Sequence, residues 1–134
     1  METKTKNIIV TENDHKVFKK LIETSYTVDP VEKKSHGKLY EELKTATIVS
    51  EKEFPLKVVR LNSLVTIQTT FGRKDNIQLV LPHEGDLSKR KLSIMSPMGS
   101  ALLGYAEGDK VTWNLPKGEE KIIIEKVINE INAV

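Results

Sequence analysis

Two hydrophobic periods divide this chain near residue 50. Before that point apolar positions recur at helical spacing. Asn7–Thr11 is a short apolar-to-polar lead-in. Thr11-Glu12-Asn13-Asp14 reads as a variant capping box: the Thr11 hydroxyl accepts from the Asp14 backbone N–H, and the acid complements the positive helix end. Val17, Phe18, Leu21 and Ile22 then form an apolar stripe on a helix ending near Thr24. Tyr26–Asp29 breaks the pattern. Pro30 starts a second helix, with Leu39, Tyr40, Leu43 and Ala46 as its stripe. Gly37 weakens that helix by about 1 kcal/mol relative to Ala, so its early part is expected to fray. A short connection makes the two an antiparallel hairpin over residues 1–50. Narrow stripes flanked by Lys and Glu predict a pair that mostly faces itself; the alternative is a pair that covers a sheet.

Ser50–Pro55 is a polar joint with a proline, and beyond it the pattern alternates. Val58, Val59 and Leu61 are expected to begin a sheet. Leu64–Thr70 is rich in β-branched residues, Gly72–Asn76 reads as a hairpin turn, and Ile77, Leu79 and Leu81 form the return strand. Pro82–Lys91 is a polar loop. Leu92, Ile94 and Ser96 make a short strand that Pro97 ends, because its fixed φ suits a helix's first turn. Met98, Ala101, Leu102 and Leu103 have helical spacing, and Gly104 is a stop. Gly108-Asp109 turns into Val111, Trp113 and Leu115. Pro116-Lys117-Gly118 turns again, and Ile122, Ile123, Ile124 and Val127 supply the last strand within Lys121–Ile131. The expected class is α+β, with residues 51–134 forming an antiparallel sheet domain of five or six short strands around one short helix.

Composition narrows the function classes. The chain has 134 residues, 38% hydrophobic and 30% charged, with a net charge of +2. Residues 1–50 carry 9 Lys/Arg against 8 Asp/Glu, and the rest 12 against 11. That balance lacks the basic excess of a dedicated DNA binder. Lys89-Arg90-Lys91 is the densest basic run and reads as a solvated loop. No apolar run approaches the length of a membrane span, and METKTKNIIV lacks a signal-peptide core. The absence of cysteine excludes disulfides and thiolate chemistry and fits a reducing, cytoplasmic setting.

The residues show no catalytic constellation. His15, His36 and His83 lack partners at metal-ligand spacing and read as surface histidines. No serine sits in a nucleophile elbow, and no Gly-rich phosphate loop follows a strand. Neither an enzyme activity, a metal site nor a cofactor is expected.

Three motifs together resemble a known family. Ser96–Gly104 fits S-P-x-G-x-A-L-L-G, Gly108–Gly118 fits G-D-x-V-x-W-x-L-P-x-G, and Val58–Val65 is V-V-R-L-N-S-L-V. Over roughly Val58–Ile131 the chain resembles the C-terminal domain of the GreA/GreB transcription elongation factors, and most nearly their short Rnk-type relatives, the regulators of nucleoside diphosphate kinase. The resemblance implies an FKBP-like sheet domain and RNA polymerase as partner, bound at the rim of its secondary channel. Contact with nucleic acid would be indirect or weak, inside the transcription complex, and a monomer is expected. In the family this strand-to-helix region approaches polymerase, which makes Ser96, Pro97, Met98, Gly99, Ala101, Leu102, Leu103 and Gly104 the candidate partner surface; the alternative places Met98, Leu102 and Leu103 in the core. Gre-type hairpins carry tip acids that help hold a catalytic Mg²⁺. Here the tip holds Asp29 and Glu32, but helices of about 12 and 15 residues reach only about 20 Å. The resemblance therefore implies a regulator whose arm is too short for transcript cleavage. The other readings are a cleavage-stimulating factor using the tip acids, a direct regulator of a nucleotide kinase, and, less well supported by so few aromatics, a prolyl isomerase.

Overall fold

Thr11 starts the first helix as its sequence requires. In a computed structural model that describes residues 7–129, its side chain accepts from the Asp14 N–H at 3.0 Å. Helix α1 runs Glu12–Thr24, and α2 runs Pro30–Lys44. Asp29 caps α2, accepting from the N–H groups of Val31 and Glu32, and Pro30 occupies its first turn. That start is strong enough to carry the helix unbroken through Gly37, which is exposed with open space around it. The expected fraying is not seen.

The chain around this pair contains strands that periodicity alone left as lead-in and linker. Strand β1 (Ile9–Thr11) pairs in parallel with β2 (Thr47–Val49), closing the base of the hairpin. The main sheet contains β3 (Leu64–Thr69), β4 (Gly72–Val80), β5 (Lys91–Ser93), β6 (Lys110–Leu115) and β7 (Gly118–Ile128), in the order β5-β4-β3-β7-β6. Helix α3 (Pro97–Leu102) lies between β5 and β6 in sequence. The fold is α+β, but the sheet is mixed, since β5 runs parallel to β4.

Three local expectations differ from the structure. The short strand is Lys91–Ser93, so Ile94 and Ser96 lie outside it. Residues 58–61 form no strand; Val58 makes a single bridge to Ala106. The β3–β4 turn is Thr70-Phe71, so Gly72–Asn76 belongs to β4. Its polar residues looked like a turn because this end of the strand is exposed on both faces. A bulge follows: Val65 pairs with Ile77 and Ile67 with Lys74, leaving Thr66 opposite two residues, and Asn76 takes φ 50° there.

One hydrophobic cluster joins the helices to the sheet. Phe18, Leu39 and Leu43 pack in the same cluster as Ile67, Leu79, Ile122 and Ile124. Helix α2 lies against α3 and β6, while α1 lies against α2. The pair therefore does not mostly face itself. Its apolar stripes were narrow because α1 contributes chiefly Phe18, and α2 turns Ser35, Leu39 and Leu43 toward the sheet domain.

Candidate functional site

The candidate site lies where the tip of the helix pair comes down beside β4, β5 and β6. A groove of about 780 Å³ opens there. Its apolar floor includes Ile77, Leu92, Met98, Trp113 and Leu115, the first four in the core cluster or at its margin, where the sheet and α3 meet the groove. One rim carries Arg73, Lys74 and Arg90 with Asp75 among them; the other carries Asp29 and Glu32 from the tip.

Each rim is built locally. At the tip, Asp29 Oδ1 accepts from Val31 and Glu32, and Glu32 Oε1 accepts from the Thr27 hydroxyl at 2.7 Å. The two acids are thus helix-starting residues, Asp29 as the cap of α2 and Glu32 in its first turn. Across the groove, Arg73 pairs with Asp75 at 2.9 Å and Glu125 at 3.2 Å. Those carboxylates hold its guanidinium firmly protonated. Arg90 Nη1 donates to the Asp75 carbonyl at 2.9 Å. Arg90 also adopts left-handed backbone (φ 60°, ψ 33°), closing the short turn Leu87–Lys89 with its N–H on Leu87 O. The basic run Lys89-Arg90-Lys91 is therefore not uniformly solvated loop: Lys91 enters β5 and Arg90 is aimed by the turn.

The helix pair is tied down along its length. His36 Nε2 donates to the Met95 carbonyl at 2.8 Å, one residue before Ser96. His15 Nε2 donates to Leu43 O at 3.0 Å and ties α1 to α2. These two histidines are half-buried connectors, which spacing could not reveal; His83 is exposed as expected. The Tyr105 hydroxyl donates to Glu42 on α2, and burial, with Glu42 beside it, pushes the phenol pKa far up. At the base, Arg60 meets Glu51 at 2.9 Å and the buried Asp14 at 3.4 Å, with its guanidinium 4.9 Å from the Phe54 ring. Burial raises the Asp14 carboxyl above its ordinary value despite that arginine.

The strand-to-helix surface is mostly interior. Ser96 caps α3, its hydroxyl accepting from Gly99 N–H at 3.0 Å, and Ser96 and Pro97 are half-buried at the groove. Met98, Gly99, Ala101, Leu102, Leu103 and Gly104 are buried. A Cβ on Gly99 would stand 2.1 Å from Ser93 O, and one on Gly104 would stand 2.4 Å from Ile8 Cβ. Glycines recur here because the Ser93 backbone and the Ile8 side chain approach closely, and Ser96 and Pro97 are the half-buried residues of the stretch. Among the described residues no group of three His, Asp or Glu side chains is placed to hold a metal ion. No described helix is long and apolar enough to cross a membrane.

This arrangement, a mixed sheet with an S-P-x-G-started helix and a helix pair laid against it, is that of a transcription elongation factor domain. The family model for the GreA/GreB C-terminal domain of transcription elongation factors matches residues 54–129, and the chain belongs to that family. Transcription elongation factor GreA of Chlorobium phaeovibrioides is 35% identical over 91 residues, covering 66% of this chain and 57% of that protein. The regulator of nucleoside diphosphate kinase of Escherichia coli K12 is 38% identical over 81 residues, 60% of each chain. The chain thus spans under two-thirds of the length of these curated relatives. A solved GreA/GreB structure from Nitrosomonas europaea is similar over 93% of this chain and 100% of its own, with 32% identity and a TM-score of 0.72.

Proposed function

We propose that this protein regulates transcription elongation by binding RNA polymerase, docking at the rim of the secondary channel through the exposed edge of its sheet domain around Ser96 and Pro97. In this reading the helix pair occupies the channel mouth without cleaving the transcript. The sheet domain is read as FKBP-like in its single helix packed on a curled sheet. No isomerase activity is assigned, because fold does not carry function.

One observation carries the proposal: the helix pair is short and committed. Its helices have 13 and 15 residues, a reach of about 20 Å. Its tip acids are engaged in capping α2 and in a bond from Thr27. An arm of that reach, held on its own sheet domain, stops short of a distant active centre whatever its acids bind. His36, Glu42 and the Phe18–Leu39–Leu43 cluster keep the pair on the sheet domain.

The test has two parts. Immobilised protein is expected to capture core RNA polymerase, and Pro97→Ala/Ser96→Ala should weaken capture while the protein stays folded; absence of capture refutes the docking. Stalled elongation complexes supplied with Mg²⁺ and the protein should release no short 3′ fragments. Release that depends on Asp29 and Glu32 would instead establish cleavage stimulation and overturn the argument from length.

A further inference from the structure

The groove between the helix tip and the sheet shares Ser96 and Pro97 with the docking edge, and it also has a charge asymmetry to which those two residues contribute nothing. We propose that it binds a nucleoside phosphate, with the phosphates at Arg73, Lys74 and Arg90 and the base against Trp113. The size suits one small molecule: about 780 Å³ lies within the roughly 300–1,000 Å³ of small-ligand sites. The lining has their character too, an apolar floor with a few converging polar groups.

Charge sets the class of ligand. Arg73 already shares its guanidinium with Asp75 and Glu125. Lys74 has no carboxylate partner among the described residues. Arg90 spends one N–H on the Asp75 backbone carbonyl and forms no ion pair among the described residues. Three cations against the one carboxylate of Asp75 leave this rim positive, which attracts a multiply charged anion, and guanidinium forks match phosphate geometry. The opposite rim is the reverse. Asp29 and Glu32 each use one oxygen locally, which leaves the other as an acceptor. A nucleotide has the same polarity, anionic at one end and bearing hydroxyl and amino donors at the other. A continuing nucleic-acid strand does not fit, since its next phosphate would meet the acids.

Two further observations agree. Trp113 is half-buried and held edge-on to Phe71 at a ring separation of 6.0 Å, which fixes an indole in the floor. Stacking on such a ring is tolerant of base identity. Arg90 is also held in left-handed backbone, with Gln78 N–H donating to its carbonyl at 2.8 Å. Non-glycine residues kept in that region persist where the surroundings over-determine them, and they concentrate at ligand sites.

Trp113 is the single tryptophan of the chain, so the full-length protein reports on this groove directly. Titration with ATP or ADP should quench its fluorescence saturably in the sub-millimolar range. Adenosine and inorganic pyrophosphate should each bind at least about tenfold more weakly, because each satisfies half of the site. Lys74→Ala/Arg90→Ala should weaken ATP by at least about tenfold, whereas the distant Lys52→Ala should leave it unchanged. Calorimetry on Trp113→Phe should still detect binding, without the optical signal. The proposal is overturned if millimolar ATP gives neither saturable quenching nor heat, or if Lys74→Ala/Arg90→Ala binds as the parent does. It is equally overturned if ATP is silent while a hydrophobic dye binds at Trp113, which would mark an apolar segment as the occupant. None of these readouts involves polymerase, so a failure here leaves the docking test independent.

Discussion

Truncating Leu39 to alanine tests whether the helix pair and the sheet are one cooperative unit. Leu39 is 1% exposed and lies in α2 on the face that meets α3 and β6. Its removal forfeits the transfer of the isobutyl group and leaves a cavity between helix and sheet. The cost for such a site is about 3 kcal/mol, within a range of about 2–5. That is a large part of the about 5–15 kcal/mol typical of a whole domain. At this chain length it corresponds to a fall in Tm of roughly 9–15 °C. The assay is urea unfolding followed by two probes, far-UV circular dichroism for the helices and Trp113 fluorescence for the sheet. Both midpoints should fall together, with the slope unchanged, because the same core unfolds. Glu41→Ala, two residues along on the exposed side of α2, should move neither by more than about 0.5 kcal/mol. If helical signal is lost at low urea while the Trp113 transition keeps its parental midpoint, the helix pair is a separate unit and the reasoning fails.

Two other perturbations follow from the base of the arm. Burial raises the Asp14 carboxyl above its ordinary 3.8, so the folded state holds that proton more tightly than the unfolded chain. Its contribution to stability is fully present below 3.8 and is lost as pH rises through the higher folded value. Asp14→Asn should therefore gain on the parent across that window and then stay at a constant difference; parallel curves in urea midpoint against pH would refute this. Gly104 has φ 83° and a Cβ there would meet Ile8, so Gly104→Ala should cost about 2–4 kcal/mol. Adding Ile8→Gly, which removes the Cβ that the new methyl would meet, should cost less than the two single effects summed, as contacting residues do; full additivity in denaturation midpoints would remove the clash as the cause.

The elements that were legible from sequence are those whose signals are local. Thr11, Asp29 with Pro30, and Ser96 with Pro97 each begin a helix where capping chemistry places one. Gly104 sits just past α3 in the left-handed region, as its position implied. Elements that depend on pairing were harder. Ile9–Thr11 and Thr47–Val49 are too short to show a period, and they become strands only because hairpin closure brings them side by side. The polar start of β4 looked like a turn because nothing covers it, and a two-residue turn at Thr70-Phe71 carries no glycine or proline to announce it. His15 and His36 find their partners at Leu43 and Met95, 28 and 59 residues away.

By itself the sequence determined the family, the α+β class, the helix starts and the chemistry at the tip, since caps, turns and motif spacing act over a few residues. The tertiary structure decided where the helix pair lies and what its tip faces. Each apolar stripe must be buried against something, but its composition does not say against what. The shared burial of Phe18, Leu39 and Leu43 with the sheet residues makes that choice. It carries most of the expected S-P-x-G surface into the interior, and it sets Asp29 and Glu32 across a groove from Arg73, Lys74 and Arg90. Residues so far apart in the chain meet only when the whole core forms.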